Sequence, residues 1–404
     1  MEVKRSEKLH NVRYDIRGPV TTLALKMAQE GADIIQLNTG NPAAFGFTPP
    51  DYADILKEQQ QLTAAYSDSK GLMKTREAIA AYESSKGIPN IHVDNIFTGN
   101  GVSELITISL QALLNDGDEI LVPTPDYPLW TAAARLAGGN VVHYICDESA
   151  NWYPDMDDLR GKVTPRTKAI VVISPNNPTG AVYPREILEG ICGLARENNL
   201  LIFSDEIYDR LLMDDSEHIA IASLAPDLPV ITMNGLSKSH QLCGFRSGWM
   251  VISGNVSGAG TYLDGLTVLA SMRLCANVNA QAIIPAALAD PLFARSTLLP
   301  GGRLYEQREC AYSGLNSIPG MSVVKSKAGL YMFPKMDIEK LRINDDEKFV
   351  LDFLREKHVL LTHGGSYNWD APDHFRMVYL PEKDILADVI ERLRDFLSSY
   401  RQYT

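Results

Sequence analysis

Asn234-Gly235-Leu236-Ser237-Lys238-Ser239-His240-Gln241-Leu242-Cys243-Gly244-Phe245-Arg246-Ser247-Gly248-Trp249 is the stretch from which the fold can be read. It follows a short apolar run, Val230-Ile231-Thr232-Met233, and leads into another, Trp249-Met250-Val251-Ile252. A lysine and an arginine are therefore held between two strands, with small residues on either side. A Lys among apolar neighbours loses solvation of its ammonium form, so its pKa is expected to fall and its amine to become a nucleophile toward a carbonyl. An Arg eight residues on, in a loop rich in Gly and Ser, suits a phosphate group. A lone Ser-Lys dipeptide is more often an ordinary surface loop, so the weight falls on its surroundings.

Working outward, apolar β-branched runs recur at 95–98, 119–122, 141–145, 169–173, 200–203, 230–233 and 249–252. Several intervals carry helical periodicity, as in Leu105-Ile106-Ile108-Leu110-Leu113-Leu114 and Ile187-Ile191-Leu194. Continuous apolar strands separated by helices predict an α/β fold with a mostly parallel seven-stranded sheet covered on both faces. Ligands of such sheets sit outside the carboxyl ends of the strands. The residues just past each run are rich in chemistry. They include Gly99-Asn100-Gly101-Val102-Ser103, opening a helix whose amides can take an anion, and Pro125-Asp126-Tyr127-Pro128-Leu129-Trp130, a stiff turn with two aromatics. Ser174-Pro175-Asn176-Asn177-Pro178-Thr179-Gly180 and Ser204-Asp205-Glu206-Ile207-Tyr208 follow, and then the lysine stretch.

From about 295 the alternation weakens into helix and strand pieces: a helix over 303–316, strands at 329–333, 359–365 and 374–380, and an amphipathic helix over 382–400. This predicts a smaller α+β domain made of 1–45 and 295–404, with 46–294 as the large domain. The N-terminal part ends in a strand and the tight turn Gly40-Asn41-Pro42, where backbone can approach a ligand.

A net charge of −12 argues against nucleic acid or an anionic membrane as the main partner. The five cysteines are widely spaced and odd in number, which fits reduced thiols better than a disulfide framework. The charged N-terminus has no signal-like core, and no apolar run reaches membrane-spanning length, so a cytoplasmic protein is expected. His and Cys residues do not cluster at ligand spacing, so no metal site is expected.

These residues, in this order, resemble the fold-type I pyridoxal-phosphate aminotransferases of classes I and II over nearly the whole chain. Asn177-Pro178-Thr179-Gly180, Ser204 to Tyr208, and Ser237-Lys238 with Gly244-Phe245-Arg246-Ser247-Gly248-Trp249 carry the likeness. Tyr14-Asp15-Ile16-Arg17-Gly18-Pro19, Gly40-Asn41-Pro42, Pro125 to Trp130 and Met272-Arg273-Leu274-Cys275-Ala276-Asn277 look like the bacterial glutamate–pyruvate (alanine) branch. The resemblance implies that Lys238 holds pyridoxal 5'-phosphate as an internal aldimine and later moves the α-proton. It implies that Asp205 pairs with the pyridinium nitrogen, that Tyr208 and Asn177 bond the phenolic oxygen, and that Tyr127 stacks on the ring. Val102, Ser103, Ser237 and Arg246 would take the phosphate, with Tyr66 reaching it from the neighbouring subunit of a homodimer. Arg376 would grip the α-carboxylate, beside Gly40 and Asn177. Tyr14 would close over a small side chain, and Arg17 would meet the distal carboxylate of glutamate.

The implied reaction is amino transfer between L-alanine and 2-oxoglutarate by a ping-pong route. Another amino-acid preference, or C–S lysis on the same fold, shares the core residues and stands as the alternative. A non-catalytic ligand-binding or regulatory protein would lack the Lys or add a DNA-binding module, and neither feature is present. The chain departs from the family at Ser239-His240-Gln241 and at His363-Gly364-Gly365-Ser366-Tyr367. By analogy both places lie near the pocket and bear on which amino acid is accepted.

Overall fold

The computed structural model describes residues 3–10, 12, 14, 18–290 and 293–403. Its centre is an eight-stranded sheet built from β1 (Ile96–Asn100), β2 (Glu119–Thr124), β3 (Asn140–Asp147), β4 (Tyr153–Pro154), β5 (Thr167–Ile173), β6 (Leu201–Asp205), β7 (Pro229–Gly235) and β8 (Ser247–Gly254), in the order β1-β8-β7-β6-β5-β2-β3-β4. The seven apolar runs of the sequence are seven of these strands. The eighth, β4, is a two-residue antiparallel edge whose Tyr-Pro sequence carries no strand pattern. The central pairings β7-β6-β5-β2-β3 are parallel.

The strands are apolar along their length because both faces are covered. Side chains alternate across a strand. Leu121, Ile170, Val172, Ile202 and Val230 therefore pack to one side with the helix Arg185–Asn198, through Leu188, Ile191 and Leu194. Ile120, Val122, Val171, Phe203 and Ile231 pack to the other, with α1 (Val102–Leu113), α2 (Leu129–Leu136) and α3 (Gly260–Met272).

β8 runs antiparallel between β1 and β7. That reversal positions the site. The loop 236–246 leaves the carboxyl end of β7 and returns into the start of β8 at the same rim, so Lys238 and Arg246 cannot leave it. Gly248 lies opposite both Gly99 of β1 and Gly235 of β7.

The C-terminal part forms its own apolar cluster, in which Val20, Ala24 and Leu37 of the N-terminal segment join Leu304, Phe349, Phe353, Leu393 and Phe396. The residues Ile35 and Gln36 pair in parallel with Val359 and Leu360. β9 (Tyr331–Met332), β10 (Thr362–His363) and β11 (Phe375–Val378) form an antiparallel sheet with β11 in the middle. The predicted helices at 303–316 and 382–400 are Arg303–Asn316 and Lys383–Ser399. Among the described residues no helix is long and apolar enough to cross a membrane.

Candidate active site

A cleft of about 520 Å³ opens at the carboxyl rim of the large sheet, lined on its far side by Gly40, Tyr331 and Arg376. At one end, β1 turns through Gly101 (φ 78°) into the 12-residue α1. The first-turn amides of Val102 and Ser103 have no helical acceptors, and the positive end of the helix dipole lies with them. Arg246 sits left-handed (φ 58°) at the end of the lysine loop. Its Nη1 donates to the Cys243 carbonyl (2.9 Å) and its Nη2 reaches the Asn100 carbonyl (3.5 Å). A Cβ on Gly101 would overlap that guanidinium. Ser237 lines the same cleft. Amides, hydroxyl and guanidinium together make an anion cradle.

Opposite it, Asp205 ends β6, buried. Trp130 Nε1 donates to its Oδ2 (3.1 Å). Burial pushes this carboxyl up to about 6 despite the Trp130 hydrogen bond. Among the described residues no cation offsets that burial, so the site is built to take positive charge. No helix follows Asp205 for it to cap, because 207–210 are turns. The neighbouring Glu206 points elsewhere, to Lys86 (2.8 Å) and His218 (2.9 Å). Burial opposes its charge, but Lys86 and His218 hold the carboxyl below its usual range. The two adjacent carboxylates thus serve different neighbourhoods, as expected from side chains that point apart.

Lys238 Nζ donates to the Gly40 carbonyl (2.7 Å) and lies 3.8 Å from Cys243 Sγ. The sequence expectation of a lowered pKa fails here. Burial pushes the amine down, but negative charge on the Tyr331 oxygen and the Cys243 sulfur in the range where the amine titrates outweighs it and holds the group above the usual lysine range. An apolar context in sequence did not reveal the polar groups that the fold brings back to the amine.

Tyr208 donates its hydroxyl to Tyr331 (3.0 Å). Tyr127 and Tyr14 share a hydrogen bond of 3.0 Å, and burial drives the Tyr127 phenol well above its ordinary value. Arg376, on β11, is buried. Its Nη1 donates to Asn177 Oδ1 (3.0 Å) and its Nη2 to the Asn38 carbonyl. Its guanidinium also lies 4.3 Å from the Tyr331 ring centre and 4.7 Å from that of Tyr367.

The fold therefore brings Tyr14, Gly40, Val102, Ser103, Tyr127, Asn177, Asp205, Tyr208, Ser237, Lys238, Arg246 and Arg376 to one cleft. Tyr66 is not among its lining residues and stands 80% exposed. Arg17 lies outside the described residues.

The two departures from the family behave differently from what their position suggested. Neither His240 nor Gln241 lines the cleft. The His240 ring nitrogens lie 2.9 Å from the Ala287 carbonyl and from Ser239 Oγ, and the ring stacks on Phe293. Burial lowers this imidazole to about 4, so it is a neutral clamp on the lysine loop. His363 bonds Ser366 (2.8 Å), and Tyr367 of that loop reaches a site residue, its ring lying 4.7 Å from the Arg376 guanidinium. Sequence reading missed Tyr331, seen only as part of a strand, and the bonds of Trp130 and Cys243. No spacing signal marks a tyrosine more than a hundred residues from its partner.

Comparison with known proteins gives the same assignment. The family model for aminotransferase class I and II matches residues 32–393. The glutamate–pyruvate aminotransferase AlaA of Haemophilus influenzae is 54% identical over 400 residues, spanning 98% of this chain and 99% of that protein. An alanine aminotransferase of Mycobacterium tuberculosis is 51% identical, spanning 98% and 93%. The crystal structure of an aminotransferase from Escherichia coli superposes with a TM-score of 0.98 at 52% identity, covering both chains fully. With the family model matching residues 32–393 and relatives more than half identical over nearly their full length, this chain belongs to the class I and II aminotransferases.

Proposed function

We propose that the enzyme moves the amino group between L-alanine and 2-oxoglutarate, giving pyruvate and L-glutamate by a ping-pong cycle. The buried Arg376, its fork anchored on Asn177 and the Asn38 carbonyl and its plane on two tyrosine rings, carries the amino-acid part of this reading, because a fixed planar cation is what recognises an α-carboxylate. Relatives more than half identical over nearly their full length are named for glutamate–pyruvate and alanine transfer.

The cofactor is pyridoxal 5'-phosphate, the group on which this family depends. The residues fit it: an anion cradle, a lysine and a buried carboxyl that no cation among the described residues offsets line one cleft. When bound, it supplies an electron sink for the electrons left at the amino acid's α-carbon. Val102, Ser103, Ser237 and Arg246 hold its phosphate. Asp205 would keep its ring nitrogen protonated, Tyr127 would cover its ring, and Tyr208 and Asn177 would bond its phenolic oxygen. Lys238 would anchor it, and the Lys238 Nζ would take the α-proton. Arg376 holds the carboxylate so that the α-hydrogen faces that nitrogen.

The enzyme works as a cytoplasmic homodimer in this reading. Tyr66 is largely exposed, and so are Leu62, Met73, Met272 and Leu274, on two segments tied together by Gln281 and Arg273. A second copy covering that face would bring Tyr66 to the neighbouring phosphate. Residues 46–294 form the large domain, and 1–45 with 295–404 the small one. Arg17 meets the distal carboxylate of glutamate, with Tyr14 over the smaller side chain.

Adding alanine and 2-oxoglutarate to the cofactor-loaded protein should release pyruvate in step with glutamate. Ammonia and pyruvate from cysteine or cystathionine without a keto acid would replace transfer by elimination. Arg17→Ala should impair glutamate far more than alanine, and equal losses would remove the distal-carboxylate role.

A further inference from the structure

Tyr331 touches three separate parts of the cleft, and apart from lending its ring to Arg376 it has no role in the scheme above. It lies on β9 opposite Val378, and Arg376 is the diagonal neighbour on the same face of β11. Diagonal neighbours lie within reach of an aromatic side chain. The Tyr331 ring thus lies 4.3 Å from the Arg376 guanidinium, and its hydroxyl accepts from Tyr208 (3.0 Å). A Cβ on Gly40 would meet the same phenol, with Tyr331 Cζ at 2.6 Å, so the Gly40 backbone is pressed against it. Gly40 in turn supplies the carbonyl that holds Lys238.

We propose that Tyr331 is the positioning residue of this site, its hydroxyl setting the Tyr208 phenol and its ring face setting the Arg376 fork. The inference rests on the transaminase reading, since it assigns Tyr331 through the roles given there to Tyr208 and Arg376.

The two halves of the side chain do separable work. Two phenols sharing a hydrogen bond can reverse its direction. When Tyr331 donates to Tyr208, the Tyr208 proton is free for the cofactor's phenolic oxygen, and the chain of two bonds strengthens both. Losing the 331 hydroxyl weakens the Tyr208 donor and leaves that cofactor oxygen more basic. The ring is different. It lends a π face to a guanidinium whose Nε is buried and has no hydrogen-bond partner among the described residues.

Tyr331→Phe removes one atom and keeps the face. The pH midpoint of the holoenzyme's visible absorbance should rise by about half a unit to one unit, as expected for one neutral hydrogen bond acting at one remove. The KM for alanine should stay within about twofold. Tyr331→Leu removes both features, and the KM values for alanine and 2-oxoglutarate should rise together by about tenfold. A Tyr331→Phe titration that overlays the wild type overturns the hydroxyl's role. Unchanged KM values in a folded Tyr331→Leu overturn the ring's role. If Tyr331→Leu does not fold, the single-atom Phe variant still decides the first. A merely structural tyrosine would lower the melting temperature and leave the titration in place. A wild-type protein with no visible band after adding the cofactor, or with no pyruvate formed, would instead remove the transaminase reading itself.

Discussion

Gly248→Ala is the sharpest test of the anion cradle. Gly248 faces the turn between β1 and α1 so closely that an added Cβ would lie 2.6 Å from the Val102 nitrogen and 2.7 Å from the Gly101 carbonyl carbon, both backbone atoms. Its φ lies outside the left-handed range, so the cost is crowding and not dihedral strain. Contacts between such atoms are comfortable near 3.5–4.0 Å, so the loop carrying the Val102 and Ser103 amides must retreat by about 1 Å. A shift of that size takes hydrogen bonds to a phosphate from ideal length to about the limit of usefulness. Losing one to two units of charge-assisted bonding, about 1.5–3 kcal/mol, weakens cofactor binding about 10- to 150-fold. The assay is reconstitution of the cofactor-free protein with pyridoxal phosphate, followed by absorbance, well below its melting temperature. Overpacking will also lower stability by about 1–3 kcal/mol, which thermal unfolding records separately. Gly244→Ala is the internal control. It lies on the lysine loop four residues before Gly248, with nothing within 4 Å of its added Cβ, and should bind cofactor within about twofold of the wild type. A folded Gly248→Ala whose affinity stays within about threefold would refute the cradle as drawn.

Three further outcomes follow from the same geometry. Asp205 is raised to about 6 by burial, so in the cofactor-free protein its folded form holds a proton that the unfolded form gives up near pH 4. The group therefore subtracts stability as pH rises through that interval, and the advantage of Asp205→Asn over the wild type in urea unfolding should grow by about 1 kcal/mol between pH 5 and pH 8. A constant gap would contradict the buried acid, and the variant should be nearly inactive with cofactor. Arg376→Lys keeps the charge but cannot fork to Asn177 and the Asn38 carbonyl, so kcat/KM should fall about 30- to 1,000-fold for both amino and keto substrates. Loss with only one substrate would point to a different carboxylate site. His240→Leu should lower stability by about 1–2 kcal/mol, since it cuts the ring's bonds to Ala287 and Ser239 while leaving the cleft untouched. A changed ratio of alanine to other amino acids in steady-state assays would return His240 to the specificity pocket.

The sequence by itself determined the sheet, the rim and the family. Strands buried on both faces must be continuously apolar, so Ile120 to Val122 and Ile170 to Ile173 announce themselves, and the residues just past them are the only ones free to be polar. Motifs compact in sequence, such as Ser237-Lys238 with Gly244 to Trp249, are legible because their geometry is local. What the sequence left open involves contacts between distant segments. Tyr331 and Tyr208 are 123 positions apart, and Lys238 and Gly40 are 198 apart. Only the tertiary structure decided that the lysine is held above its usual range, that His240 faces away from the cleft, and that one tyrosine joins Tyr208 to Arg376. The physical reason is that hydrogen bonding and desolvation act over a few ångströms of space, while sequence periodicity reports only which face of an element is buried.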